Sequence, residues 1–461
     1  MKLRVRDLAA AAQAQPRSPG GLPLEASVAT DSRTLAPGEL YVALRGERFD
    51  GHAFVGAALA RGACGVVVSD ASVVPENAPA LVVADTLAAY QAFAGCARHA
   101  LDARVIAVTG SAGKTTTKEL LAQLLVAAGF APVAATPANE NNEFGVPKLF
   151  LGLDSSVRAV VVEMGARRYG EIAPLTAIAR PDVAIVTNIG EAHLEVMGSR
   201  ERLAETKFEI FGTGAIPVLN VRDAASCERA AGLGREPVWF AASGGEGLGG
   251  LKVRSALFVS RTALKFFVAG ANVTTYPIRC DLPGDHNLEN LAAAFAGAYA
   301  AGADLERLAA AVPSLTLPQG RYERMNVGAF DVIYDAYNAS MSGTLATLRS
   351  FAREVAGRKI AVLSSMAELG PDAPEMHERV GAAAAASKLD ALLVGGDYAE
   401  SLARGARGAG FPAELVINFD DNGRVVDWLR ANARAGDLVL LKASRRYKLE
   451  SVLEGLRSAH A

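Results

Sequence analysis

At 461 residues the chain is longer than a single hydrophobic core fills, and roughly 100–200 residues per domain predicts about three domains. Its 47 Lys and Arg stand against 49 Asp and Glu, a formal net charge of −2, so it lacks the basic surplus that neutralising a nucleic-acid backbone requires. Apolar residues at 51% and charged residues at 21% match a soluble globular chain and exclude overall disorder.

The chain opens MKLRVRDLAAAAQAQP, basic and then Ala-rich. Asp7, Gln13 and Gln15 interrupt any apolar signal region, so this stretch predicts a first amphipathic helix. Val66 to Val68 and Leu81 to Val83 are short Val-rich runs between helical stretches, a small α/β unit ending near Ala100. Cys64, Cys96, Cys227 and Cys280 form no CxxC pair and are too sparse for a disulfide framework, which points to a reducing compartment. From Arg104 a β-branched run reaches Gly110 and resumes as a helix with Leu120, Leu121, Leu124 and Leu125 on one face. Strands follow at Ala159 to Val162 and Asp182 to Val186, each succeeded by a helical pattern, so the centre predicts a parallel sheet with crossover helices. The Gly-rich residues 241–256 predict a loop or hairpin excursion. Leu291 to Ala303 is the longest nearly apolar stretch, short of the ~18–20 residues of a membrane span. A cytoplasmic protein without membrane contact is expected.

Pro313 and Pro318 punctuate a linker over Val312 to Gln319. Beyond it, Phe330 to Tyr334, Lys359 to Leu363, Ala391 to Val394, Glu414 to Ile417 and Leu438 to Leu441 predict five strands of a second doubly wound sheet. The reading is therefore an α/β chain divided as 1–100, 101–319 and 320–461.

The strongest chemical signal is Gly110-Ser111-Ala112-Gly113-Lys114-Thr115-Thr116 between a buried strand and an amphipathic helix. Glycines let backbone N–H groups close around phosphate oxygens, the helix N-terminus adds partial positive charge, Lys114 reaches the β/γ-phosphates and Thr115 can ligate Mg²⁺. Val108 stands where the full phosphate-loop pattern has its first Gly. Open α/β sheets place ligands outside the carboxyl ends of their strands. Glu163 and Asn188 end two such strands and His193 follows closely, so acid and imidazole converge on the edge that carries the phosphate loop. A carboxylate beside phosphates suits a Mg²⁺ ligand, whereas His193 alone could equally be a satisfied surface or core histidine. Asn139, Asn141 and Asn142, and later Asn287 and Asn290, can read an adenine edge or hold loops through Asx turns. Asp335 ends one buried strand, and Lys442 with Ser444 and Arg445 ends another, positions that favour substrate contacts.

Taken in order, DSRTLAPGELYVALRGERFDGH, TGSAGKTTTKE, TPANENNEFGVP, VVEMGA, TNIGEAHLEVMGS, GDHNLENLAAA, PQGRYE, DAYNAS and LKASR resemble the Mur ligases, ATP-dependent amide-forming enzymes of peptidoglycan precursor synthesis. The resemblance implies three domains: a small N-terminal α/β domain for the UDP-linked substrate, a central ATPase domain, and a C-terminal Rossmann-like domain binding the incoming amine. DAYNAS and KASR, with no Asp-Asn-Pro-Arg motif, place it nearest the branch that adds D-alanyl-D-alanine to UDP-N-acetylmuramoyl-tripeptide. A diaminopimelate- or lysine-adding or folylpolyglutamate-type ligase is the neighbouring alternative, and a phosphate-loop nucleotide switch is the alternative from another class.

By the same resemblance Gly110 to Thr116 cradle ATP, Thr115 and Glu163 hold one Mg²⁺, and His193 serves a second. Lys207 matches a lysine that relatives carry as a carbamate. Lys114, Glu163, His193 and Lys207 form the implied catalytic set. Asn287 is implied at the adenine, Arg321 at a phosphate or hinge, and Asp335 at the nucleotide across the domain gap. Ser32, Arg33, Asp50, Gly51 and His52 fall in the uridine-diphosphate region, and Asn142, Lys442, Ser444 and Arg445 complete the substrate contacts. A monomer is expected. Ser340-Met341 and Ser364-Ser365 depart from the family pattern, both in the domain that would handle the amine.

Overall fold

The computed structural model describes residues 1–17, 21–46, 49–190, 197–243, 253–367 and 369–458. Three main sheets carry the chain. The N-terminal one has five strands in the order Gln15–Arg17, Ala80–Val82, Gly65–Val68, Leu40–Val42 and Val28–Ala29, parallel except for the first pair. The sequence expectation named only the two Val-rich runs here; Leu40–Val42 is too short to show a period but is wholly buried between them and the edge.

The central sheet has nine strands, ordered Val133–Ala135, Ala159–Glu163, Arg104–Thr109, Val183–Val186, Ile216–Asn220, Val238–Ala242, Ser255–Val259, Ala263–Val268 and Thr274–Pro277. The first seven run parallel and the last two antiparallel. Its middle strands are buried on both faces, which is why they read as unbroken apolar runs instead of alternating ones. The expected hairpin excursion over 241–256 is corrected at its end, because Ser255–Val259 is a buried strand pairing parallel to Val238–Ala242. The Ala-rich stretch that falls short of a membrane span falls mostly in the helix His286–Ala300, packed on this sheet alongside the helix Lys114–Ala127. Gly297 permits that approach: a Cβ there would lie 2.5 Å from the Ile185 Cδ1. No helix of the described residues is long and apolar enough to cross a membrane.

The C-terminal sheet has six strands, ordered Glu323–Val327, Phe330–Tyr334, Leu438–Lys442, Lys359–Ser364, Ala391–Gly395 and Val416–Phe419. All pairs are parallel but the first, an antiparallel edge hairpin whose outer strand, Glu323–Val327, the sequence reading did not include because ERMNV is half exposed and polar. The expected strand from Glu414 starts later, since Ala413–Leu415 forms a short 3₁₀ turn.

One apolar cluster runs without a break from Leu3, Leu8 and Phe93 of the N-terminal unit into Val105, Phe150 and Val160 of the central one. The C-terminal sheet instead has its own clusters on its two faces, centred on Leu348, Phe351 and Leu392 and on Val332, Val439 and Leu453. Between the linker prolines, Thr316 is tied back to Gln123 by hydrogen bonds of 3.0 Å in both directions.

Candidate active site

The phosphate loop joins the strand Arg104–Thr109 to the helix Lys114–Ala127, with Gly110 at φ +145° and Gly113 at φ +81° as the residue before the helix. Both glycines are fixed by their neighbours as well as by backbone angle. A Cβ at Gly110 would lie 2.0 Å from the Thr187 Oγ1, and one at Gly113 would lie 2.2 Å from the Asn290 Oδ1. The adjacent strand end braces the loop: the Asn188 Oδ1 accepts from the Ala112 N–H at 3.1 Å, and its Nδ2 donates to the Ala112 carbonyl at 3.0 Å. Gly113→Ala combines a left-handed backbone, about 1–2 kcal/mol, with that clash. It is expected to lower the melting temperature and to abolish stabilisation by ADP, read by thermal melts with and without the nucleotide.

Lys114 folds back so that its Nζ donates to the Gly110 carbonyl at 2.8 Å, over the hollow of the loop. Burial pushes its pKa down, the Glu163 carboxylate opposes that, and the Arg321 guanidinium adds to it. Thr115 Oγ1 donates to the Glu163 Oε1 at 3.3 Å, and the Asn141 Nδ2 donates to the same oxygen at 2.8 Å. Among the described residues the second oxygen, Oε2, is buried with no hydrogen-bond partner. A buried carboxylate oxygen left bare beside a threonine hydroxyl and a phosphate loop fits a divalent cation, and Thr115 with Glu163 is the oxygen pair that would hold it. His193, the expected second-ion residue, lies outside the described residues. Lys207 is buried and does not line the cavity. Burial lowers its pKa to about 7; nearby Lys114 acts in the same sense, and Glu171 and Glu209 oppose it.

Opposite the loop, the strand ends of the C-terminal sheet close a cavity of about 1030 Å³. Asp335 and Lys442 form a buried ion pair at 2.9 Å, with side chains 7% and 5% exposed. Asp335 also accepts from the Tyr322 N–H at 3.2 Å and from the Thr347 Oγ1 at 2.5 Å. Burial alone would raise the Asp335 pKa, but Lys442, His286 and Thr347 outweigh it and hold the carboxyl below its usual range. Arg321 crosses the domain gap, donating to the Thr115 Oγ1 at 3.3 Å, while its guanidinium lies 4.4 Å over the Tyr337 ring. Arg445 sits 5.3 Å from the centre of the same ring. Tyr337 is thus clasped by two guanidiniums, a role the sequence reading missed although the residue lies inside DAYNAS.

Of the sequence-predicted residues, Ser111 to Thr116, Asn142, Glu163, Asn287, Arg321, Asp335, Lys442, Ser444 and Arg445 all line this cavity, whereas Gly110, at the start of the loop, does not. Asn287 spends its amide locally, donating to the Pro283 carbonyl at 2.7 Å and accepting from the Asn290 Nδ2 at 3.0 Å. The departures are accommodated by capping and loop bracing. Ser340 caps the helix Met341–Arg353 by accepting from the Gly343 N–H at 3.3 Å, as an Asn there would. Ser365 accepts from the Tyr398 N–H at 2.8 Å.

Ser32, Arg33, Asp50, Gly51 and His52 are not brought to this cavity. They cluster on the N-terminal unit, where Arg33 pairs with Asp31 at 2.7 Å. The His52 ring engages Asp50 through Nδ1 at 2.7 Å and accepts from the Ser69 N–H through Nε2 at 2.9 Å. Gly51 is buried where a Cβ would meet the Leu44 backbone at 2.7 Å.

His286 links the central and C-terminal units, with its Nδ1 3.1 Å from the Ser350 Oγ and its ring edge-on to Tyr322. Burial brings its pKa down from 6.5 to about 4, with Asp335 and Asp285 opposing and Lys442 and Arg349 reinforcing the shift. The unfolded chain therefore binds a proton between pH 6.5 and 4 that the folded chain refuses, and stability falls as pH drops through that window. His286→Gln is expected to flatten this part of the stability profile in urea melts; an unchanged slope would assign it to other groups.

The comparisons with known proteins agree with this geometry. The family description "Mur ligase middle domain" matches residues 108–298, "Mur ligase, glutamate ligase domain" matches 320–445, and "Mur ligase family, catalytic domain" matches 26–122. The UDP-N-acetylmuramoyl-tripeptide--D-alanyl-D-alanine ligase of Synechocystis sp. is 37% identical over 440 residues, covering 93% of this chain and 91% of that protein. The chain belongs to the Mur ligase family. Among solved structures, MurF from Acinetobacter baumannii superposes on this Mur ligase with a TM-score of 0.86 at 27% identity, covering 99% of both chains. MurF ligase from Thermotoga maritima, solved in complex with ADP, gives 0.80 at 30% identity over 94% of this chain and 97% of that one.

Proposed function

We propose that this Mur ligase uses ATP to join D-alanyl-D-alanine to UDP-N-acetylmuramoyl-tripeptide, giving the UDP-linked pentapeptide of peptidoglycan synthesis. The observation that carries the reading is the convergence, in one interdomain cavity, of a braced phosphate loop and a bare buried Glu163 oxygen with Lys442, Ser444 and Arg445 of the facing domain. Names of full-length relatives support the identity of both substrates.

A carboxylate is a poor electrophile, so amide formation needs it activated and shielded from water. The tripeptide carboxylate takes the γ-phosphoryl group of ATP with release of ADP, and the dipeptide amine displaces phosphate from the resulting acyl phosphate. In this reading the Gly110 to Thr116 backbone and Lys114 hold the phosphates. Thr115 and Glu163 would hold Mg²⁺, which neutralises charge on the transferring group. Arg321 and Asp335 contact the nucleotide across the gap, and Asn287 shapes the adenine end. Asn142, Lys442, Ser444 and Arg445 position the two peptides, and the Ser32, Arg33 and Asp50 to His52 cluster receives the uridine diphosphate. The division at about residues 100 and 319 assigns these roles to three units.

With a pKa near 7, Lys207 is partly a neutral amine at neutral pH, the form that adds CO₂ to give a carbamate with loss of a proton. A carbamate carbon appearing in ¹³C NMR with labelled bicarbonate, absent in Lys207→Arg, tests that modification.

The function itself is tested by phosphate release from ATP with UDP-N-acetylmuramoyl-tripeptide present. Release that requires D-alanyl-D-alanine, with a pentapeptide product by mass, is the expected result. Dependence on diaminopimelate, lysine or D-glutamate would transfer the chain to another branch, and hydrolysis needing no amine would overturn ligation.

A further inference from the structure

A second cavity, of about 530 Å³, lies at the opposite edge of the central sheet. Arg104, Val183 and Ile216 line it, and these are the first residues of three parallel strands. It is separated from the phosphate loop by the length of the strand Arg104–Thr109, roughly 17 Å at 3.3 Å per residue. Its walls carry the guanidiniums of Arg98, Arg104, Arg180 and Arg235 and a single carboxylate, Asp182.

Part of that charge has a structural account. Three helices end here: Thr86–Ala100, Ile172–Ala179 and His286–Ala300. Arg98 donates to the Ala179 carbonyl at 2.8 Å, the Arg180 carbonyl at 3.2 Å and the Leu101 carbonyl at 3.4 Å, so it caps two of these ends. Arg104 pairs with Asp182 at 3.4 Å, and Asp182 also accepts from the Val105 N–H at 2.8 Å. The side chains of Arg180 and Arg235 make no hydrogen bond or ion pair among the described residues, and both are exposed on the cavity rim. Four guanidiniums against one carboxylate leave a surplus of three positive charges. Three helix C-termini at about −0.5 each cancel only about half of it.

We propose that this rear cavity is a binding site for a compact polyanion of the di- or triphosphate type, separate from the nucleotide site. The volume falls within the range of small-ligand pockets. Planar guanidinium forks pair with the O–P–O edges of phosphates in two parallel hydrogen bonds, and the unspent Arg180 and Arg235 supply two such forks. Arg98, fixed by its carbonyl contacts, supplies a rigid positive wall. A ligand with two or more negative charges balances the surplus, whereas a chloride would not.

The test is calorimetric titration with inorganic pyrophosphate at constant ionic strength, using the full chain. Wild type is expected to take up two equivalents, one at each site. Lys114→Ala is expected to keep the rear equivalent, and Arg180→Gln/Arg235→Gln to keep the front one while losing at least tenfold in affinity at the rear. Neither rim side chain supports the core, so a coincident thermal melt of the double variant shows that it is folded. A single equivalent in wild type that Lys114→Ala abolishes, or a second equivalent that Arg180→Gln/Arg235→Gln leaves unchanged, would overturn the site. Because binding is read without turnover, the result is independent of which amine the enzyme ligates.

Discussion

Lys114→Ala is expected to reduce phosphate release by at least 10²–10³-fold with all substrates present, the loss typical of removing one preorganised charge from a transferring group. It is also expected to leave the melting temperature unchanged or raised. Among the described residues the Lys114 side chain makes one hydrogen bond, to the Gly110 carbonyl at 2.8 Å, and burial disfavours its charge. Without phosphates the cation therefore costs stability, and its deletion relieves that cost. The loop itself remains braced by Asn188 and Thr187. Turnover above one tenth of wild type would remove the phosphate loop from the chemistry.

The second large effect concerns stability. Lys442→Met is expected to destabilise the C-terminal unit by about 3–5 kcal/mol, because it leaves Asp335 ionised, buried and without its cation. Asp335 is buried, and its remaining side-chain hydrogen bonds among the described residues, from the Tyr322 N–H and the Thr347 hydroxyl, are neutral. Adding Asp335→Asn removes the stranded charge while its amide oxygen still accepts from Tyr322, so the double variant is expected to recover at least half of the loss. Urea melts of the four proteins measure the coupling. Equal effects of the single and the double variant would mean that Lys442 acts through packing and not through charge.

Both predictions rest on residues that were legible in the sequence. Lys114 and Glu163 announced themselves because phosphate binding needs a glycine turn between a strand and a helix, and because a parallel sheet exposes one end of each strand to the same solvent edge. The same rule brought Asp335 and Lys442 to notice, although nothing in their spacing says that they touch; that pairing depends on Phe330–Tyr334 lying beside Leu438–Lys442, strands about a hundred residues apart. The brace from Asn188 to Ala112 and the clasp of Arg321 and Arg445 on Tyr337 were hidden for the same reason. The N-terminal sheet was read least completely. Its strands of two and three residues are too short for an alternating pattern to repeat. The rear arginines were invisible as a group, since Arg98, Arg104, Arg180 and Arg235 are spread over more than a hundred residues and meet only where helices end beneath the sheet.

The unbroken apolar cluster shared by the first two sheets has a consequence for cooperativity. Three architectural units need not mean three melting units, because side chains such as Phe93 and Phe150 belong to both neighbours at once. Peeling the N-terminal sheet away would strip the central one of part of its own interior, so these two should exchange their amide hydrogens as a single foldon. The C-terminal unit keeps its apolar clusters to itself and meets the rest through polar links such as Arg321 to Thr115 and the ion pair of Arg353 with Asp285. It can therefore unfold alone, and a calorimeter should record two transitions.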